Sequence, residues 1–349
     1  MDAETIKKIL VIDLAFIGDV ILATPTMRAL KARFPKASLT MLTIPLTAEV
    51  AAMNPYVDEV LVYDKRGKDK GLFGMWRMAR RLAPIGFDLC VSMNFALRGA
   101  VVAWLAGISN RLGYDAQHAG WFLTLVASHR RDGIKHETLN HLEVLRPLGI
   151  DEKNTDTSLS MKVPESAKES LAEKSKMRHI PQDGYLVLCP VGSYVRKNLS
   201  LATAAHVVRH FSQRKPIFLI GSAAEATQLE EIARLANLPR NNVLAGALPL
   251  SELAAFLKNA SCLITVDTGP LHIAQAVGCR TVAIFGPTDP VVWGPRGETD
   301  EVLYYRTDCS PCWGKGKCEK RMVCIEGTTA REIIKAVEHS SCLRNTDRL

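Results

Sequence analysis

Three loops in the second half of the chain, and one near its start, combine residue types suited to holding or moving charge. The run Asp267-Thr-Gly-Pro-Leu-His272 follows the apolar segment Cys262–Val266 and opens a helical pattern, with Pro270 suited to a first turn. The Thr268 and Gly269 amides, the Thr268 hydroxyl and the helix dipole make a phosphate site that needs no metal; the alternative is an ordinary helix start capped by Asp267. The loop Cys189-Pro-Val-Gly192-Ser193-Tyr-Val-Arg196-Lys197 offers small residues, a hydroxyl and two cations. Lys197 either neutralises a leaving diphosphate or stands with Arg196 as a solvated pair. In Ile220-Gly-Ser-Ala-Ala-Glu225 a carboxylate sits near a helix start, where it binds ribose hydroxyls or caps the helix. Asp13-Leu-Ala-Phe-Ile-Gly18-Asp19 ends the first apolar segment. Asp19 again has two readings, a helix cap and a general base that takes a proton from an attacking hydroxyl.

Other clusters and some absences narrow the chemistry. No G-x-G-x-x-G follows a strand and no G-x-x-x-x-G-K-[ST] occurs, which removes support for dinucleotide and P-loop readings. No two aspartates form a D-x-D pair of the kind that holds a metal on a nucleotide diphosphate, so backbone amides and cations are expected to do that work. Cys309-Ser-Pro-Cys312, Cys318 and Cys324 could bind a structural zinc, although the second pair is spaced C-x5-C; packed free thiols or a labile disulfide are the alternatives. Residues 65–82 mix seven cations with Leu72, Phe73, Met75, Trp76 and Met78, either a basic amphipathic surface for anionic headgroups or a solvated helix packed on a sheet.

The elements that must position these groups alternate. Lys8–Asp13, Ser38–Ile44, Glu59–Tyr63 and Phe87–Met93 read as strands separated by helical patterns; so do Tyr185–Cys189, Pro216–Ile220, Asn242–Ala245, Cys262–Val266 and Arg280–Phe285. Helices are expected over Leu201–Phe211, Ala224–Asn237, Ser251–Asn259 with Ser251 as cap, and Pro270–Val277 ending at Gly278, with Pro25 breaking an earlier one. Such βαβ repetition predicts an α/β protein of two doubly wound, Rossmann-like domains, residues 1–176 and 177–328, with ligands outside the strands' carboxyl ends in a cleft between them. The 349-residue length suits two domains. A charged stretch between Asp151 and Pro181 holds the linker and its neighbouring helix.

With 47% apolar and 23% charged residues the chain is globular. Its charge of +8 favours acidic partners without requiring nucleic acid, and none is expected. The best apolar run, Ala100–Ile108, is too short to span a bilayer, and Asp13 and Asp19 interrupt any signal-peptide core. Five scattered cysteines (Cys90, Cys189, Cys262, Cys279, Cys342) fit a reducing compartment, and the cytoplasm is the expected location.

Taken together, these residues resemble the ADP-heptose:lipopolysaccharide heptosyltransferases, glycosyltransferase family 9. The resemblance rests on Gly18-Asp19-Val20 with Ala23-Thr24-Pro25, Asn110-Arg-Leu-Gly-Tyr114, Gly192-Ser193 with Lys197, and Asp267–His272 continuing to Phe285-Gly-Pro-Thr-Asp-Pro290 and Trp293-Gly-Pro295. It implies a GT-B fold, a donor held by the C-terminal domain, an acceptor held by the N-terminal domain, and metal-free inversion at the anomeric carbon. By the same resemblance Asp19 matches the base, Ser193 and Lys197 diphosphate contacts, Glu225 the ribose-binding acid and Leu248 the adenine pocket. Asp267, Thr268, Gly269 and His272 match the donor loop. The last segment, 329–349, is expected to carry a helix that crosses back to the first domain. No cofactor is implied, since the nucleotide sugar is a substrate; the acceptor is a lipid A-linked core oligosaccharide at the membrane's inner face. Asp13 and Asn198-Leu199 depart from the family's usual residues. A different nucleotide-sugar donor, or a non-catalytic sensor on the same fold, are the competing readings.

Overall fold

The structure, a computed structural model, describes residues 2–93, 95–128 and 135–339 and divides into two units, Met1–Lys162 and Val163–Leu349. The first contains β1 (Lys8–Ile12), β2 (Ser38–Thr43), β3 (Glu59–Val62), β4 (Leu89–Ser92), β5 (Asn110–Tyr114) and β6 (Leu125–Ala127), in the order β3-β2-β1-β4-β5-β6. The second contains β7 (Leu186–Cys189), β8 (Ile217–Gly221), β9 (Val243–Ala245), β10 (Cys262–Val266), β11 (Thr281–Phe285) and β12 (Glu301–Tyr304), in the order β12-β11-β10-β7-β8-β9. Every pairing is parallel.

Parallel strands need crossover helices, which cover both faces and bury a central strand along its whole length. That is why β4, β7, β10 and β11 are mostly apolar and buried at every residue, whereas the outer strands β3 and β12 are half exposed. The nine expected strands all form: Cys262–Val266 as expected, Ile217–Gly221 one residue later than expected, and the others trimmed by a residue or two at one or both ends. Three more were not foreseen. β5 begins with Asn110-Arg111 and contains Gly113, β6 is three residues long, and β12 is a partly exposed edge, so none carries a strong apolar signature.

Helix Ile17–Leu22 ends at Ala23, and Pro25 sits in the first turn of the next helix, Thr24–Arg33, where a missing amide costs nothing. Helix Leu201–Ser212 is capped by the Ser200 hydroxyl, which accepts from the Thr203 amide at 3.1 Å. The helix expected to be capped by Ser251 begins one residue earlier, with Pro249 as N-cap and Ser251 inside its first turn. Helices Gly71–Leu82 and Leu97–Leu105 lie side by side on one face of the first sheet, burying Met78, Ala79, Leu82, Val102 and Ala103 against Leu10, Ile12 and Cys90.

Two segments fall with the second unit by their own contacts. Helix Glu165–Arg178, placed before the expected boundary at 176, buries Ala167 and Leu171 and turns Ser170 and Lys174 onto Glu252 of helix Leu250–Asn259, at 2.8 and 2.6 Å. The final helix, Ala330–His339, expected to return to the first domain, buries Ile333, Ala336 and Val337 in the second unit's core with Val207, Val208 and Phe211. The rest of the expected segment, 340–349 with Cys342, lies outside the described residues. None of the eight described cysteines is in a disulfide. No helix among the described residues is long and apolar enough to cross a membrane.

Glu252 is buried and Lys174 is a third exposed. Lys174→Met removes that carboxylate's counter-ion while Ser170 still donates to it, and is expected to destabilise the second unit by about 1–2 kcal/mol, read as a lower urea midpoint. The exposed neighbour change Lys176→Met should move it by less than about 0.5 kcal/mol.

Candidate active site

Each strand order reverses once. In the first sheet the chain runs outward from β1 to β3 and resumes on the other side at β4; in the second it runs from β7 to β9 and resumes at β10. The crossovers leaving a reversal point diverge, and a crevice opens at the carboxyl ends of the two strands there. At the β1/β4 crevice a cavity of about 240 Å³ is lined by Leu14, Ala15, Lys65, Ser92, Arg98 and Gly99. Lys65 Nζ donates to the Leu14 carbonyl at 2.6 Å and Arg98 donates to the Tyr63 hydroxyl at 2.9 Å, so two cations are held beside the strand ends.

Asp19 stands in the first turn of helix Ile17–Leu22, where one carboxylate oxygen accepts the Phe16 amide at 3.1 Å. The capping reading is thus realised, but it uses only part of the group. Helix Glu137–Glu143 brings Glu137 and His141 to it, one ligating atom of each of the three lying within 4.8 Å of the others. Burial pushes the Asp19 carboxyl up to about 6, opposed by His141 and the Phe16 amide and reinforced by Asp13 and Glu137. Glu137 is oriented by Asn140, whose amide donates to it at 2.9 Å, and His141 Nε2 is 3.9 Å from the other Glu137 oxygen, buried and without a hydrogen bond. Neither Glu137 nor His141 was singled out from the sequence. The available signal was His136-Glu-Thr-Leu-Asn-His141, in which Glu137 and His141 fall four apart and therefore on one helix face.

At the β7/β10 crevice Lys197 Nζ meets Asp267 at 2.6 Å, both side chains largely buried. The ammonium also lies 5.0 Å from the Tyr194 ring centroid. Gly192 has to be glycine: a Cβ there would sit 2.7 Å from the Lys197 Cβ. Asp267 is thus the counter-ion of Lys197 and not the helix cap; the cap of helix Gly269–Val277 is Thr268, with an extended backbone and no side-chain cap bond. The His272 imidazole is buried, which holds it below its usual range although Asp267 pulls the other way; it pairs with Gln275 at 3.2 Å.

The remaining expected residues lie on the neighbouring strand ends. Ser193 is in the loop after β7. Glu225 follows β8 and accepts the Ser222 amide at 2.6 Å; a side chain on Gly221 would reach 2.8 Å from that carboxylate. Leu248 is half-buried in the turn after β9, a turn tied to the β8 loop by the Gly246 amide donating to Gly221 at 2.8 Å. Ser193, Lys197, Glu225, Leu248 and Asp267–His272 therefore follow four adjacent strands of one sheet. The four clustered thiols run from exposed Cys309 to buried Cys324; burial raises the Cys324 thiol, with Cys312, Cys309 and Cys318 adding to it. Among the described residues they do not form a set with three ligating atoms mutually within 4.8 Å.

A carboxyl raised to about 6 contributes stability fully present below its unfolded value near 3.8 and lost as pH rises through 6. Asp19→Asn, which removes the buried charge and keeps an acceptor for the Phe16 amide, should therefore raise the melting midpoint at pH 8. The expected gain is about 1–3 kcal/mol, or a few degrees, vanishing near pH 4. Calorimetry at the two pH values checks the sign.

The chain matches the family described as glycosyltransferase family 9 (heptosyltransferase) over residues 75–323, a span that includes every expected donor-site residue. Lipopolysaccharide heptosyltransferase 3 of Escherichia coli is 24% identical over 334 residues, covering 93% of this chain and 96% of that protein. Among solved structures, the glycosyl transferase family 9 protein of Veillonella parvula aligns with a TM-score of 0.83 at 24% identity, over 96% of this chain and 97% of that one. The E. coli heptosyltransferase WaaC with ADP-2-deoxy-2-fluoro heptose aligns with a TM-score of 0.70 at 17% identity, over 95% and 99%. The two parallel six-stranded sheets, with these neighbours, make the fold GT-B. With a family match over residues 75–323 and curated relatives spanning almost its whole length, the chain belongs to glycosyltransferase family 9, the heptosyltransferases, and is a transferase.

Proposed function

We propose that the chain moves a heptose from ADP-heptose to the inner core of lipopolysaccharide in one inverting, metal-independent displacement, the second unit holding the donor and the first the acceptor. Asp19 carries this reading. A carboxylate raised to about 6 is still charged about ten to one at pH 7, yet is far more basic than an ordinary aspartate. It takes the proton of an acceptor hydroxyl as the oxygen bonds to the anomeric carbon. The bond to the diphosphate oxygen breaks in the same step. The charge passing to ADP is met by Lys197, Ser193 and the Thr268 and Gly269 amides. Glu225 takes the ribose hydroxyls, Leu248 the adenine, and His272, uncharged, the wall behind the loop. Lys65 and Arg98 suit acidic groups of the acceptor. The ADP-heptose analogue bound to WaaC supports the choice of donor, and the relatives named lipopolysaccharide heptosyltransferases support a lipopolysaccharide acceptor, which we place at the cytoplasmic face of the inner membrane.

Asp19→Ala should lower kcat at least a thousandfold while the calorimetric ADP affinity stays within about twofold. The wild-type rate should fall tenfold per pH unit below 6 and level off above it, because only the ionised carboxylate accepts the proton. Retained turnover in the variant removes Asp19 from this role. EDTA should leave the rate unchanged; a loss restored by a divalent ion would place a metal in the reaction.

The donor is tested separately. ADP should bind more tightly than UDP, and Lys197→Ala should weaken ADP about tenfold or more, since it removes one charge-assisted contact. Tighter UDP binding would sink the heptose assignment.

A further inference from the structure

Helix Gly71–Leu82 is apolar on two sides. Gly74, Met78 and Leu82 face the sheet and are buried, while Leu72, Phe73 and Trp76 are 80%, 77% and 51% exposed. Burial of the first set is ordinary packing; exposure of the second costs free energy unless something covers it. The adjoining helix Leu97–Leu105 lies in the same layer and leaves Trp104 half exposed. Its ring meets Phe122 edge-on at 5.3 Å, in the turn that carries Trp121, 88% exposed.

Charge identifies the covering surface. Residues 64–82 carry seven cations against two carboxylates, and one of those, Asp69, is buried in a pair with Arg77. Arg80 lies 5.5 Å from the Trp76 ring centroid, so a cation rests over the exposed indole. Protruding apolar tips ringed by lysine and arginine suit an anionic bilayer: the tips enter the headgroup boundary while the cations stay with phosphates. Protein interfaces are instead depleted of lysine, of which this stretch carries Lys65, Lys68 and Lys70.

We infer that the outer side of helix Gly71–Leu82, continued by Trp104 and Trp121, docks the first unit on an anionic lipid membrane. The inference deepens the proposed function, resting on it for the lipid-anchored acceptor, but vesicle binding can be read without any transfer.

The full chain should sediment with phosphatidylglycerol-containing vesicles, far less with pure phosphatidylcholine vesicles, and less as salt rises. The triple variant L72S/F73S/W76S should bind at least tenfold more weakly, and R80Q/R81Q several-fold more weakly. Both should keep the wild-type melting curve and the wild-type rate on a delipidated, water-soluble core acceptor. Wild-type binding equal to the triple variant's, or none to either vesicle, overturns the docking face. So does a dimer of the wild type that the triple variant dissolves while vesicles are ignored, since the surface would then pair copies of this chain. Vesicle binding without transfer would leave the docking face standing and sink the heptosyltransferase reading instead.

Discussion

The reversal of strand order is the constraint on which the rest depends. A parallel sheet can be built only with crossover connections of one hand, so a chain that winds outward from β1 to β3 and then resumes at β4 must leave its helices diverging at that point. The same reversal between β7 and β10 opens a second crevice. Neither needs special residues to exist. They need only residues whose side chains can use a place where strand ends, loops and helix starts converge.

The two units hold charge in opposite ways. In the helix that follows β1, Asp19 lies with a second acid and a histidine and, by burial, rises to about 6, the environment on which its proposed role as base rests. At β7 and β10 a lysine is enclosed with its own counter-ion, so the ammonium is fixed in place before any anion arrives. On the proposed function, a diphosphate offered there would meet an ammonium and a helix start already arranged, which lowers the cost of reorganisation as charge develops. The Asp267 carboxylate is what makes the burial of Lys197 tolerable, and Gly192 leaves the space for it.

Much of this was legible in the residues. Fully buried parallel strands are uninterrupted apolar runs, so β7, β10 and β11 stood out, and Gly278 at φ +77 ended its helix where a glycine was expected to. The loop Asp267–His272 was recognisable because a strand, an anion-binding start and Pro270 follow one another directly. Less visible were features decided by distant contacts. Asp267 looks like a cap until Lys197, seventy residues earlier, is placed beside it. Glu137 and His141 become interesting only when a helix from the far end of the unit reaches Asp19. Helix Glu165–Arg178 was legible as a helix beside the linker but not as part of the second unit, because the ion pair that binds it to Glu252 has no local sequence signature.

If one carboxylate removes the proton and the diphosphate leaves in the same step, the sugar is attacked once, from the face opposite the leaving group. The most direct measurement is therefore the anomeric configuration of the transferred heptose, read by nuclear magnetic resonance on the product of ADP-heptose and core acceptor. The account predicts a configuration opposite to that of the donor. A product that retains the donor's configuration would require a second displacement through a covalent intermediate and would contradict it.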